Sequence, residues 1–149
     1  MTARASNRVF WGYVGILAVG GAVLTALFVV NRPLLREGAT REVQENLDAA
    51  AAAALRVGGG GASLEIADRY GLRETLPDLL LIDPDQASNK PNIVSVYATP
   101  GRWVGSARAA TGGCYWVRVL ATGGLERGTG SDCSAEAVAM APADGWPTP

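Results

Sequence analysis

The chain has 149 residues, enough for one domain and a short accessory segment, and its 13 basic and 14 acidic residues leave it almost neutral. Without a basic excess the sequence has no electrostatic footprint for a polyanion, so nucleic acid is not an expected partner. It contains no histidine and only two cysteines, which excludes histidine-based acid/base catalysis and the common zinc sites. We therefore expect a protein that is not an enzyme, and the composition indicates no cofactor and no small-molecule substrate.

A long apolar run lies near the N-terminus. Residues 9–30 are 22 consecutive residues without a charge, and Arg8 and Arg32 lie close to its two ends. A helix of that length measures about 33 Å, which matches a hydrocarbon core of about 30 Å. We predict a transmembrane helix over 9–30 that is retained in the mature protein. A cleaved signal peptide is the alternative, but its apolar core usually has only about 7 to 15 residues.

Small residues recur along one side of this predicted helix. Ala18, Ala22 and Ala26 are four residues apart, a spacing that allows close helix–helix contact in lipid. The expected partners are therefore the membrane itself and other membrane-protein subunits. No ionisable residue lies within 9–30, which argues against a transport pathway through the helix.

The two cysteines bear on orientation, because arginines flank both ends of the predicted span. Cys114 and Cys133 are 19 residues apart in the polar part of the chain, and an even pair in a small exported domain indicates a disulfide. Two reduced cysteines in a cytosolic domain are the alternative. We expect residues 1–8 to form a cytoplasmic tail and the main domain to be extracytoplasmic.

A second helical pattern follows the apolar run. Proline at position 33 is compatible with the first turn of a helix, and apolar side chains then recur at helical spacing opposite a charged side. These apolar positions are Val43, Leu47, Ala50, Ala51, Ala54 and Leu55. We predict an amphipathic helix over 33–57, packed on the segment that follows. Gly58–Gly61 would end it and act as a flexible joint; a phosphate-binding loop is the alternative, but the P-loop lysine and hydroxyl are missing.

Residues 58–140 are expected to form a small α+β outer domain. A short helix is predicted over Ser63–Tyr70, and short runs rich in Val, Ile, Tyr and Trp then predict strands. These runs are Leu79–Ile82, Asn92–Ala98, Arg102–Ala109 and Gly113–Leu120. Compact turns between the runs predict antiparallel neighbours, and Gly123–Gly130 is interpreted as a hairpin loop. The predicted fold is α+β: a transmembrane helix continues into an amphipathic helix that packs on a small antiparallel sheet.

Residues 141–149 are predicted to be a proline-rich tail. We expect Trp146 to pack back onto the domain, since large aromatic side chains usually find cover; an exposed recognition tryptophan is the alternative.

Two sets of polar residues could carry chemistry, and each has a simpler explanation. Aspartates could supply oxygen ligands to calcium, but the DPD sequence is also an ordinary turn and the spacing matches no complete calcium loop. The aspartates concerned are Asp78, Asp83, Asp85 and Asp132. A Ser–Lys catalytic pair would have to use Lys90, the single lysine, which is better explained as a solvated loop cation.

The order of these parts resembles the type IV pilin and pseudopilin group. A short basic tail, an apolar helix, a proline near its outer end, an alanine-rich amphipathic continuation and a small sheet with a C-terminal cysteine pair follow one another. The stretch SARAATGGCYWVRV (106–119) and the GSDCSAEA around Cys133 are similar to pilin-like membrane proteins of high-GC Gram-positive bacteria. The resemblance implies a single-pass, membrane-anchored structural protein with pilin-like partner subunits. The alternative is a tethered binding or accessory subunit of an envelope complex, using the sheet face or the 83–92 loop.

One position departs from the pilin pattern. Gly12-Tyr13 resembles the glycine–aromatic pair at a prepilin cleavage site, but the acidic residue expected five positions into the mature chain is replaced by Leu17. We therefore predict that the N-terminus is not processed at this site and that the protein is not a major filament subunit.

Overall fold

The computed structural model describes residues 37–147, which belong to one compact unit that begins at Glu37. The fold is α+β, as predicted: helix α1 over 37–57, a five-stranded sheet and a short helix α2, Ala135–Val138. Over 37–147 no helix has both the length and the apolar character needed to cross a bilayer. The transmembrane helix predicted over 9–30 lies outside the described residues, and so does the Ala18, Ala22 and Ala26 series.

The sheet has its strands side by side in chain order. They are β1 (Leu80–Ile82), β2 (Ile93–Thr99), β3 (Arg102–Arg108), β4 (Cys114–Leu120) and β5 (Leu125–Gly130). From β2 to β5 each neighbouring pair is antiparallel. The antiparallel pairing of β2, β3 and β4 was predicted and is confirmed. Short connections between these strands favour that arrangement, because only an antiparallel neighbour can be reached through a tight turn.

The two edges of the sheet correct the sequence prediction. β1 is parallel to β2, with Leu80 opposite Ile93, so the prediction of a wholly antiparallel sheet is wrong and the sheet is mixed. Since β1 has only three residues, and is thus about 10 Å long, the ten-residue loop 83–92 is long enough to return the chain to its starting end. At the other edge, the glycine-rich segment predicted as a loop forms β5.

Packing accounts for a glycine within β5. A Cβ atom at Gly128 would lie 2.2 Å from a ring carbon of Trp116, so the indole lies directly over this position. Gly128 is therefore a strand glycine that lets a side chain approach the backbone closely. Sequence composition alone does not distinguish such a glycine from one in a loop.

Helix α1 covers one face of the sheet. Val43, Leu47 and Ala54 are fully buried, and they belong to the same apolar cluster as Trp103 and Val117 of the sheet. The prediction that the amphipathic helix packs on the sheet is thereby confirmed. The alanine side chains on this side of the helix are short, so the helix and the sheet can approach closely.

The segment after α1 differs from its prediction. Gly61, with φ +114°, is buried, and a Cβ atom there would lie 2.5 Å from the Ala121 carbonyl oxygen; this part of the predicted flexible joint is packed on the β4–β5 turn. Of the helix predicted over Ser63–Tyr70, only Leu64–Ile66 forms a 3-10 turn. The Asp68 carboxylate accepts the Tyr70 and Gly71 N–H groups, which offers the backbone an alternative to continuing the helix.

The second face of the sheet is covered by α2 and the chain that follows it. Val104 and Trp116 are buried there against Val138 and Ala139. The Arg118 guanidinium donates to the carbonyl oxygens of Ala139 and Ala141, each at 2.8 Å. These bonds fix the main chain on this face as far as Ala141.

Candidate interaction surface

The predicted disulfide between Cys114 and Cys133 is formed, with their Cα atoms 5.1 Å apart. It joins the first residue of β4 to the segment between β5 and α2. The disulfide thus attaches the segment before α2 covalently to the sheet. This segment leads into the part of the chain that covers the second face.

Replacing both cysteines by serine is expected to lower the free energy of unfolding by about 3 kcal/mol, because the unfolded chain then regains the freedom of a loop closed over 19 residues. Urea unfolding followed by tryptophan fluorescence measures the change. Reductant should destabilise the wild-type protein and leave the double variant unchanged. Equal stability of wild type and double variant would contradict the prediction.

The aspartates considered for calcium have other partners or lie apart. Asp83 forms an ion pair with Arg69 at 2.7 Å, and Asp132 accepts the Ser134 N–H at 2.8 Å. Within 37–147 no group of three or more histidine, cysteine, aspartate or glutamate side chains is placed to hold a metal ion. Lys90 is exposed in the 83–92 loop, where the sequence predicted a solvated cation.

Asp132 gives the domain a pH-sensitive contact. The hydrogen bond from the Ser134 backbone, assisted by the charge of Arg108, lowers the pKa of Asp132 below its ordinary value near 3.8. Because the folded pKa is the lower one, the stabilisation is present above the unfolded pKa and is lost as pH falls through the folded pKa. We expect a carboxyl-carbon NMR titration to place the Asp132 midpoint below 3.8, and the Asp132→Ala variant to lose less stability on acidification than wild type. A midpoint at or above the ordinary value would contradict this.

Two buried serines anchor the 83–92 loop, and the sequence analysis did not identify them. The Ser88 hydroxyl donates to the Ile93 carbonyl at 2.6 Å and accepts the Arg108 N–H at 3.1 Å. The Ser95 hydroxyl lies 3.0 Å from the Asp83 carbonyl and accepts the Ala135 N–H at 2.9 Å. The loop is therefore tied both to β3 and to the start of α2. The sequence carried only a weak signal for these two residues. Ser95 interrupts the apolar run of β2, and Ser88 is one polar residue among several in the loop.

Both faces of the sheet are covered within residues 37–147, and a set of exposed side chains lies near β1. We call it the β1-side surface and define it by Arg69, Tyr70, Leu80 and Asp83. Tyr70 is 66% exposed and Leu80 is 57% exposed, both high for side chains of this size. The Arg69 guanidinium carbon lies 4.5 Å from the centre of the Tyr70 ring, and the guanidinium also donates to the tyrosine hydroxyl.

These contacts and the ion pair with Asp83 hold the Arg69 side chain against Tyr70. The hydrogen bond with Tyr70, followed by the charge of Asp83, raises the pKa of Arg69 above its ordinary value. An aromatic ring, a fixed cation and an apolar side chain suit recognition of another macromolecule.

A scan against protein-family models found no match for this chain. Neither the search of curated proteins nor the search of solved structures found a match.

Proposed function

We propose that this chain is a single-pass, membrane-anchored, pilin-like structural protein whose extracytoplasmic domain is the compact unit described here. The observation that carries the proposal is the position of α1 in the core of that unit. Leu47 and Ala50, on the helix that follows the apolar run in the sequence, are fully buried in the core cluster that includes the sheet residues. A chain segment that leaves the membrane would enter this domain through α1 instead of through a loose linker.

The layout of the domain supports the same proposal. A helix packs on one face of an antiparallel meander, and a disulfide joins β4 to the segment after β5. This is the order of parts on which the pilin-like resemblance rests. The disulfide supports the orientation with residues 1–8 in the cytoplasm, since structural disulfides persist in oxidising compartments.

We propose that this protein is not a major filament subunit. If the chain were cut before Tyr13, the new amino group would lie at the apolar segment without an acidic partner, because Leu17 occupies the position of the pilin glutamate. An unpaired charge in an apolar bundle is expensive. We therefore propose that residues 1–12 are retained, apart from Met1, and that Arg4 and Arg8 stay on the inner side.

The deciding experiment is the intact mass of the protein purified from native membranes without reductant. We expect the full chain, with or without Met1, lighter by the two thiol hydrogens of one disulfide. Maleimide labelling of intact cells after reduction should then modify the cysteines and so report their outward location. A mature N-terminus at Tyr13 would overturn retention and favour a processed minor pilin. Free thiols before reduction would overturn the proposed orientation.

A tethered accessory subunit that binds a protein partner is the second candidate, and the β1-side surface favours it. Tyr70 and Leu80 expose apolar area beside the fixed charge of Arg69, as interface residues do. Co-purification of one partner at a fixed stoichiometry, lost in the Tyr70→Ser variant, would support this function. Retention of that partner by Tyr70→Ser would exclude the β1-side surface as its binding site.

A further inference from the structure

The last described residues lie along the outer edge of β5. The Gly145 N–H donates to the Arg127 carbonyl at 2.9 Å, and the Asp144 carboxylate accepts the Thr129 N–H at 3.1 Å. The tail thus pairs two edge groups of β5 that no neighbouring strand occupies. A short extended peptide binds to a sheet edge by the same kind of contacts.

A tryptophan fixes the end of this segment. Trp146 Nε1 donates to the Trp116 carbonyl at 3.0 Å, and the Arg127 guanidinium carbon lies 5.0 Å from the Trp146 ring centre. The Arg127 guanidinium also forms an ion pair with Asp48 of α1 at 2.7 Å. The Trp146 side chain is half-buried against the main core, which confirms that it packs on the domain.

The connection to this segment has few contacts of its own. Arg118 holds the chain as far as Ala141, whereas Pro142 and Ala143 are exposed and make no hydrogen bond within the described part of the chain. Between 142 and 147, the Gly145 bond is the single main-chain to main-chain hydrogen bond to β5 among the described residues. Residues 142–147 are therefore held by contacts of their own, made by Asp144, Gly145, Trp146 and Pro147, and not by the disulfide or by Arg118.

We propose that the outer edge of β5, together with the notch beside α1 that receives Trp146, is a peptide-binding site and that it takes residues 142–147 of a second copy of this chain. In the structure the site is filled by the chain's own segment. Its ligand class is a short segment with an acidic residue two positions before a tryptophan and, between them, a glycine whose φ is +79°. A second copy is the fitting occupant because it carries that sequence and can reproduce every contact described above.

The length of the segment limits how the copies approach. Six residues span at most about 20 Å, the length of a fully extended chain. The β5 edge of one copy must therefore come within that distance of Ala141 of the other. Exchange replaces each contact within a chain by the same contact between chains, so the cost is the entropy of association.

Peptide binding tests the site. The full chain in detergent carrying Asp144→Ala and Trp146→Ala keeps the site but loses its own ligand, and a fluorescent peptide of sequence APADGWPTP is the probe. We expect saturable binding, weakened about tenfold or more when alanine replaces the peptide's tryptophan, because aromatic anchors dominate such interfaces. Wild type should bind the same peptide more weakly, because its own tail competes. The proposed site would be overturned if neither the variant nor wild type showed saturable binding. Near-ultraviolet circular dichroism must first show that the variant is folded.

Capture between copies tests the occupant. Tagged Asp144→Ala/Trp146→Ala chain is mixed with untagged Arg127→Ala/Thr129→Val chain. The untagged chain keeps the tail, but its site lacks the guanidinium that stacks on Trp146 and the Thr129 hydroxyl that donates to the Asp144 carboxylate at 3.3 Å. The matched control is untagged Asp144→Ala/Trp146→Ala chain, which lacks the ligand and reports any association through other surfaces. We expect several-fold more capture of the first than of the control. Equal capture, even with peptide binding, would overturn the second copy as occupant.

Discussion

Leu47→Asp is expected to lower the free energy of unfolding by at least about 4 kcal/mol, because it removes a fully buried side chain and places an unpaired carboxylate in the core. Leu47 is fully buried in the apolar cluster formed by α1 and the sheet. Urea unfolding of the full chain in detergent, followed by near-ultraviolet circular dichroism, measures the loss. The signal reports the packing of tryptophans in the compact unit, among them the fully buried Trp103 and Trp116.

Ala52→Asp is the matched control. Ala52 lies on the exposed side of the same helix, and Arg56 is four residues further on, so the same new charge remains solvated and has a neighbour of opposite sign. We expect its stability to stay within about 0.5 kcal/mol of wild type. Equal effects of the two substitutions would mean that α1 does not contribute its apolar side to the core.

Trp103→Ala is expected to cost about 3–5 kcal/mol, the range for removing a large aromatic side chain from a core. Trp103 is fully buried, and its Nε1 donates to the Ala67 carbonyl at 2.8 Å. Its ring also lies over Gly105, where a Cβ atom would be 2.6 Å from a ring carbon. The tryptophan therefore joins the segment after α1 to β3. The same urea experiment measures its contribution.

Trp103→Phe separates the ring from its hydrogen bond. Phenylalanine keeps most of the apolar volume but leaves the Ala67 carbonyl without this donor, so we expect a smaller loss of about 1–3 kcal/mol. If Trp103→Ala changed the stability by less than Trp103→Phe, the structural account of this tryptophan would be wrong.

Features with a strong local signal could be predicted from the sequence. The helical repeat of Val43 and Leu47 indicated an amphipathic helix that needs a partner surface, and the structure buries both residues. Short turns between apolar runs predicted the antiparallel pairing of β2, β3 and β4. The even pair of Cys114 and Cys133 predicted the disulfide. Each depends on spacing along a short stretch of chain, which side-chain periodicity records directly.

Other features were decided by contacts between residues far apart in the chain. β5 could not be distinguished from a loop, because its glycine is explained only by the Trp116 ring that lies over Gly128. The parallel pairing of β1 depends on a loop held by Ser88 and Ser95, whose hydrogen-bond partners lie in other elements. Local patterns do not report such partners.

The coverage of the sheet edges shows the same limit. By itself the sequence determined that Trp146 would need cover, since a large apolar ring is costly to leave in water. Only the tertiary structure decided that the cover is the notch beside α1. There the carbonyl of Trp116, 30 residues earlier in the chain, accepts the indole N–H of Trp146. A strand edge presents backbone groups that every sequence carries, so its occupant is selected by three-dimensional proximity and not by a residue pattern.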